Sequence, residues 1–137
     1  MEKNDIVYIC SPLSAPTKEG IRQNMEKAAG YARLVSGVFG CRAIAPHSFL
    51  PEYLDDHIPE EREIGLAFGL SILKLSRAVI VCGSRISSGM QGELKMAGEL
   101  HIPAYALLEQ EGSTTLVKIT QEERMDEVQV CKGNISE

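Results

Sequence analysis

One stretch of the chain combines small hydroxyl residues and glycines with a carboxylate, residue types that suit chemistry on an anionic ligand. It reads Ser87-Ser88-Gly89-Met90-Gln91-Gly92-Glu93, and the apolar spacing predicts that a helix begins at about Gly89. Free backbone N–H groups and the helix dipole favour an anion at such a start. Gly89 lets a ligand approach the backbone, and Arg85 can add a bidentate contact. Plain N-capping by Ser87 or Ser88 is the alternative, and local chemistry leaves both open.

Glu93 lies one turn into this predicted helix. The helix dipole stabilises a carboxylate there, and a carboxylate that faces a crevice can act as a nucleophile or a base. The alternative is a solvated glutamate on an amphipathic helix, which the local pattern alone favours. The neighbours Leu94, Met96 and Ala97 are predicted to be buried, so the face that Glu93 occupies stays open.

Apolar runs of strand length alternate with helical stretches along most of the chain. Strands are predicted at 5–10, 41–45, 77–82 and 103–108, and helices at 18–39, 59–75 and 89–100. This alternation predicts an α/β domain over residues 1–108, with a mostly parallel sheet and helices on both faces. Residues 109–137 are predicted to be a polar tail that packs on the domain or on a neighbouring subunit, with one candidate strand at 128–131.

In folds of this class, ligands bind at the carboxyl ends of the strands. The candidate walls of the site are therefore the loops at 11–17, 46–57 and 83–88. His47 begins the second loop, where a histidine can contact a base or donate a proton. The pattern favours the alternative, a histidine that packs or caps the loop.

The remaining polar and aromatic residues of this region are more ambiguous. Asp55-Asp56 is interpreted as a charge pair at the start of a helix rather than a catalytic dyad. Phe49 and Tyr53 either stack on a nucleobase or close a small core under the loop, and the sequence does not decide between these roles. The other two histidines are predicted to lie at the surface: His57 and His101.

Composition bounds the class of protein. The 137 residues are 44% hydrophobic and 24% charged, which fits one compact domain with a core. A net charge of −5 argues against a nucleic-acid or anionic-membrane surface. The start of the chain lacks the pattern of a signal peptide, and a cytoplasmic location is expected. The four cysteines are far apart and are predicted to be buried apolar residues, and neither a metal nor a cofactor is expected.

Two segments resemble the nucleoside 2-deoxyribosyltransferases. The run Tyr8-Ile9-Cys10-Ser11-Pro12-Leu13 is similar to the opening Y-x-x-G-P strand and loop of that family. The run from Ser87 to Leu94 is similar to the segment that carries the family's nucleophilic glutamate. The related 2'-deoxynucleoside 5'-phosphate N-hydrolases share its spacing from glycine to glutamate. The resemblance extends from Ile6 to about Leu108 and points to a further branch of this superfamily.

The resemblance implies a flavodoxin-like or Rossmann-like three-layer fold and the cleavage of an N-glycosidic bond. Glu93 is then the nucleophile that forms a glycosyl-enzyme, and Tyr8 orients it. Ser87 matches the position used for the 5'-phosphate in the N-hydrolases, where the transferases have aspartate. The substrate-binding residues implied in this way are Ser11, Pro12, His47, Arg85, Ser87, Ser88 and Gly89. The resemblance also implies a homodimer or higher homo-oligomer that acts on a small nucleoside or nucleotide.

The chain departs from the family pattern at the acid that protonates the leaving base. That aspartate falls by spacing at about Gly69, and no Asp lies between Asp56 and Asp126. A positioned general acid contributes roughly 10²–10⁴ in rate, so catalysis would need a substitute such as His47, Asp55 or Asp56. The missing acid favours the alternative of a protein that binds a nucleotide or an ADP-ribose-type signal without turnover. A scaffold with a vestigial crevice is the third interpretation.

Overall fold

The computed structural model of the protein describes residues 1–84 and 86–120, in which α-helices flank a five-stranded sheet. Each predicted helix and strand up to residue 108 is present, with bounds that differ by at most about two residues. Two short 3-10 helices, Pro46–Ser48 and Leu50–Glu52, lie in the predicted second loop. The strands are β1 (Ile6–Cys10), β2 (Arg42–Ile44), β3 (Ser76–Val81), β4 (Ala104–Gln110) and β5 (Ser113–Lys118), and the helices are α1 (Lys18–Phe39), α2 (Pro59–Lys74) and α3 (Ser88–Glu99).

The strand order is β2-β1-β3-β4-β5. The first four strands are parallel, and β5 pairs antiparallel with β4. This is the flavodoxin-like order, so the prediction of an α/β fold with a mostly parallel sheet is confirmed. The chain places β2 on one side of β1, and β3, β4 and β5 on the other side. The carboxyl ends of β1 and β3 therefore form the topological switch point of the sheet.

Alternate residues of β1 face opposite sides of the sheet, as the pleat of a strand requires. Tyr8 and Cys10 face α2 and α3, whereas Val7 and Ile9 face α1. The cluster on the first side includes Leu73, Met90, Leu94 and Ala97, and the cluster on the second includes Ala28, Val35, Ile80 and Leu107. The sheet therefore aims Tyr8 and Cys10 at the helix that carries Glu93.

Local signals fix where α1 and α2 begin and end. The Thr17 hydroxyl caps α1 by accepting a hydrogen bond from Gly20 N at 3.0 Å. Gly40 ends that helix with a φ of 66°, a left-handed conformation that favours glycine. Pro59 stands at the first position of α2, where its missing N–H costs nothing.

Strand β5 was not predicted. It pairs with β4 from Tyr105↔Lys118 to Gln110↔Ser113, so Ser113–Lys118 add a fifth strand at the edge of the sheet. A polar edge strand shows a weak apolar alternation, which hid it. The glycine at position 112 was the usable sequence signal, because it suits a two-residue hairpin turn. In the structure Glu111 and Gly112 form that turn, with positive φ angles of 40° and 79°. The candidate strand at 128–131 lies outside the described residues.

The predicted burial needs one correction. Leu94 and Ala97 are fully buried, but Met96 is 36% exposed because it lies on the outer side of α3. The prediction for cysteines is confirmed for Cys10, Cys41 and Cys82, which are buried free thiols, and Cys131 lies outside the described residues. Within residues 1–84 and 86–120, each helix is too short or too polar to cross a bilayer.

Candidate active site

The centre of the candidate site is a hydrogen-bonded pair of side chains from β1 and α3. The Tyr8 hydroxyl donates to Oε2 of Glu93, and the Cys10 thiol lies 3.5 Å from Oε1. Tyr8 is 3% exposed and Cys10 is fully buried. The first turns of α3 cross the carboxyl end of β1 because β1 and β3 are neighbours. Glu93 is thus a partly buried carboxylate at the switch point and not a solvated surface glutamate.

Burial controls the ionisation of this group. It raises the pKa of Glu93 above that of an ordinary glutamate, while the charge of His47 and the hydrogen bonds from Tyr8 and Cys10 lower the pKa part of the way back. Burial and the negative charge of Glu93 raise the pKa of Tyr8 far above that of a free tyrosine. The same two causes raise the pKa of Cys10. Tyr8 and Cys10 therefore keep their protons and donate, and Glu93 is the member of the cluster that ionises.

Cys10 is a site residue that the sequence interpretation did not name. It follows Tyr8 by two positions on β1, and residues two apart on a strand share a face. That spacing was the available signal.

His47 enters the site from the 3-10 helix that follows β2. Its Nδ1 lies 2.9 Å from the backbone oxygen of Ser11. A carbonyl oxygen only accepts, so Nδ1 carries a proton, and Nε2 is the ring nitrogen left to exchange a proton. The charge of His47 lowers the pKa of Glu93. The hydrogen bond packs the loop and also fixes the direction of the ring.

Helix α2 packs on the same side of the sheet as Tyr8, and its Gly69 lies next to the Tyr8 hydroxyl. A Cβ atom added at Gly69 would lie 3.3 Å from the Tyr8 hydroxyl. The position where the resemblance expects an acid thus lies against Tyr8, and a side chain there would press on the Tyr8 hydroxyl.

The two acids considered as substitutes lie elsewhere. Asp55 is exposed, and its carboxylate accepts from the backbone N of His57 at 2.9 Å and pairs with its Nδ1 at 3.1 Å. Those contacts lower the pKa of Asp55. Asp56 is exposed as well. Of the three residues considered as replacements for the missing acid, only His47 affects the pKa of Glu93.

The start of α3 shows the capping interaction that was the alternative to an anion site. The Ser87 hydroxyl accepts from Met90 N at 3.4 Å. Ser88 and Gly89 are exposed at the first turn, and a Cβ atom at Gly89 would meet nothing within 4 Å. This end of the helix is open to a ligand, and the Ser87 hydroxyl already serves as its cap. Arg85 lies outside the described residues.

Ser11 and Pro12 line a cleft on the α1 side of the sheet. The cleft has a volume of about 450 Å³, and Lys27 and Glu109 contribute charges to its wall. Ser11 is 1% exposed, and its hydroxyl lacks a hydrogen-bond partner within the part of the chain that the structure describes. Ser11 is linked to the Glu93 site through its carbonyl oxygen, which accepts from His47 Nδ1.

The aromatic residues of the second loop have separate positions. Phe49 packs edge-on against Phe68 of α2, with ring centroids 5.8 Å apart, so it closes a small core under the loop. Tyr53 is 74% exposed. His57 and His101 are exposed, as predicted.

Comparison with known proteins relates this arrangement to one family and one fold. The model of a family described as a domain of unknown function, DUF7768, matches residues 5–107. No match was found among curated proteins. The solved structure of a 2-deoxyribosyltransferase from the psychrotolerant bacterium Bacillus psychrosaccharolyticus is similar, with a TM-score of 0.55 at 15% identity. The similarity covers 74% of this chain and 70% of that one. At this identity it shows that the two proteins share a fold.

Proposed function

This chain belongs to the DUF7768 family, and from its geometry we propose that it cleaves the N-glycosidic bond of a nucleoside or nucleotide, or transfers the deoxyribosyl group, through Glu93. The observation that carries the proposal is the buried Tyr8–Glu93 pair at the switch point of the sheet. The fold shared with a 2-deoxyribosyltransferase supports it. A partly buried carboxylate with two donors aimed at it is a nucleophile held in one orientation.

In the first step, a Glu93 oxygen attacks the anomeric carbon of the sugar. The bond between that carbon and the base nitrogen breaks, and its electron pair leaves with the base. The product is an ester between the sugar and Glu93, as in retaining glycosidases. Water or a second base then attacks the same carbon and releases the carboxylate. Tyr8 positions Glu93 through Oε2.

His47 is the proposed proton carrier of this reaction. Its Nδ1–H is directed at Ser11, so Nε2 of the neutral ring can take the proton of the attacking water. A phosphorylated substrate fits the exposed start of α3, where Ser87, Ser88 and Gly89 would hold the 5'-phosphate together with Arg85. The free thiols of Cys10, Cys41 and Cys82 support a reducing cytosolic setting.

A homo-oligomer is proposed from the surface of α2. Ile64 is 56% exposed, Leu66 is 63% exposed and Phe68 is 39% exposed. A helix that is apolar on several sides is normally covered, and a second copy of the chain is the partner proposed here.

One observation favours a second candidate function. Gly69 leaves the leaving-group side of Tyr8 without an acid, which supports a protein that binds a nucleotide and turns it over slowly or not at all.

The experiment measures free base by chromatography after incubation with deoxynucleosides and with deoxynucleoside 5'-monophosphates. The Glu93→Gln variant removes the nucleophile, and Glu99→Gln, an exposed position on the same helix, is the matched control. Base release that falls by roughly 10³-fold or more in Glu93→Gln alone supports the enzyme. Thermal stabilisation by the nucleotide without base release supports the binder. Release that survives Glu93→Gln contradicts the proposal.

A further inference from the structure

We propose that Glu93 attacks the sugar through Oε1, and that Cys10 is a positioning residue that holds this oxygen and releases it as the new bond forms. This inference rests on the proposed function and deepens it, because it gives the two oxygens of one carboxylate separate roles. Its basis is the unequal strength of the two donors that reach Glu93 from β1.

The two oxygens of the Glu93 carboxylate meet different donors. The Tyr8 hydroxyl donates to Oε2, and the Cys10 thiol lies 3.5 Å from Oε1. Tyr8 and Cys10 are two positions apart on β1, so both side chains leave the same face of the sheet. A hydroxyl forms a strong, charge-assisted hydrogen bond to a carboxylate, whereas a thiol is a weak donor. Oε2 is therefore the tightly held oxygen, and Oε1 is held weakly enough to react.

The attack turns one carboxylate oxygen into an ester oxygen and the other into a carbonyl oxygen. A carbonyl oxygen accepts a hydrogen bond well, whereas an ester oxygen accepts poorly. If Oε1 attacks, Oε2 becomes the carbonyl oxygen and the bond from Tyr8 persists in the glycosyl-enzyme. If Oε2 attacked, the Tyr8 hydroxyl would lose this acceptor. Tyr8 is 3% exposed, and a buried donor that loses its acceptor raises the free energy of the product.

Cys10 can give up its contact with Oε1 at little cost. Its thiol is a weak donor, so the contact contributes little before the reaction. A second acceptor, the backbone oxygen of Met90, lies 4.0 Å from the same sulfur. Rotation about the Cβ–Sγ bond turns the thiol proton from one acceptor to the other without moving the sulfur. The thiol can thus orient Oε1 before the reaction and release it during the reaction.

Each atom then has a fixed role in the two steps. A lone pair of Oε1 forms the bond to the anomeric carbon, the C–N bond breaks, and its electron pair leaves with the base, which takes a proton from solvent. Oε2 becomes the ester carbonyl oxygen and keeps the hydrogen bond from Tyr8. Water then attacks the same carbon, and Nε2 of His47 takes the proton of that water. The electron pair of the bond to Oε1 returns to Glu93, where the Cys10 thiol meets it again.

The first test reads these hydrogen bonds in the glycosyl-enzyme by infrared difference spectroscopy. A deoxynucleotide with a 2-fluoro sugar slows the second step, so that the glycosyl-enzyme accumulates. The S–H band of Cys10, identified by its loss in Cys10→Ala, should shift to the higher frequency of a more weakly bonded thiol. The ester carbonyl band, identified with isotope-labelled glutamate, should lie at a lower frequency in the wild type than in Tyr8→Phe, because Tyr8 donates to it.

The second test separates positioning from packing. Cys10→Ala removes a hydrogen bond that lowers the pKa of Glu93, so the acid limb of kcat/KM should move to higher pH. Relative to the wild type, kcat/KM should fall about 3–10-fold at pH 5 and about twofold at pH 8. Cys10→Ser restores a donor and should return the limb toward that of the wild type. Cys82→Ala removes a buried thiol from the other side of the sheet and should leave the limb in place.

The outcomes separate the two proposals. A thiol band that does not move in the glycosyl-enzyme, or a carbonyl band that Tyr8→Phe does not change, overturns the inference and leaves the proposed function standing. An acid limb that moves equally in Cys10→Ala and Cys82→Ala overturns the role of Cys10. No adduct at Glu93 overturns both proposals. Where Cys10→Ala does not fold, Cys10→Ser identifies the thiol band equally well.

Discussion

Tyr8→Phe removes the one strong hydrogen-bond donor that Glu93 has among residues 1–84 and 86–120, and it keeps the aromatic ring that packs in the core. Oε2 loses its partner, and Oε1 keeps only the weak thiol donor of Cys10 at 3.5 Å. A hydrogen bond to a charged group contributes about 1.5–3 kcal/mol, which corresponds to a factor of roughly 10–150 in an equilibrium constant. The variant should lose about that much unfolding free energy at pH 8 and should raise the pKa of Glu93 further.

The cost should depend on pH with a definite sign. The pKa of Glu93 in the folded protein is already raised by burial, so its ionisation reduces stability as the pH rises through that pKa. Tyr8→Phe increases this loss of unfolding free energy at high pH. Below the ordinary range of a glutamate, where the carboxyl is protonated, a neutral hydrogen bond is lost and the cost should fall to about 0.5–1.5 kcal/mol.

Urea unfolding followed by circular dichroism measures these values at pH 4 and pH 8. The same substitution made in a Glu93→Gln background completes a double-mutant cycle. In that background the cost at pH 8 should match the smaller, neutral value. An equal cost at both pH values and in both backgrounds would refute the reasoning, because Tyr8 would then act through packing alone.

The other predictions concern charge, proton transfer and assembly. Glu93→Gln should raise the unfolding free energy at pH 8, because it removes a partly buried charge. The gain over wild type should shrink as the pH falls from the raised pKa of Glu93 toward 4.5, the value of an ordinary glutamate, and should be absent below it. Urea unfolding measures the gain, and a gain independent of pH contradicts the prediction. His47→Gln should slow the hydrolysis of the glycosyl-enzyme, so that rapid-quench assays show a burst of free base followed by a slow phase. Turnover at the wild-type rate without a burst would show that His47 is not the proton carrier. Leu66→Lys should shift the protein toward the monomer in sedimentation velocity, since Leu66 is 63% exposed on α2, whereas Arg62→Lys on the same helix should not; an unchanged mass would contradict an interface at α2.

Much of the fold could be predicted because its signals are local and strong. The apolar spacing of α1 and the continuous apolar run of β3 give their bounds within about two residues. The antiparallel β5 was missed because half of an edge strand faces solvent and its alternation is weak. Met96 was misassigned because the neighbouring Leu94 and Ala97 are both buried.

The site was harder to predict than the fold. Local pattern favoured a solvated Glu93, since the partner that buries it lies 85 positions away on β1. The resemblance to a known family supplied the pairing of Tyr8 with Glu93. It did not supply Cys10, which reaches Glu93 because it shares a face of β1 with Tyr8. The direction of the His47 ring depends on a backbone oxygen, which sequence patterns do not encode.

The central claim is that Glu93 forms a covalent bond to the sugar. The most direct measurement is intact-protein and peptide mass spectrometry after incubation with nucleotides whose 2-fluoro sugar slows the second step. The account predicts one added glycosyl group, on the peptide that contains Glu93, and none in Glu93→Gln. Enzymatic base release without an adduct at Glu93, or an adduct that persists in Glu93→Gln, would contradict it.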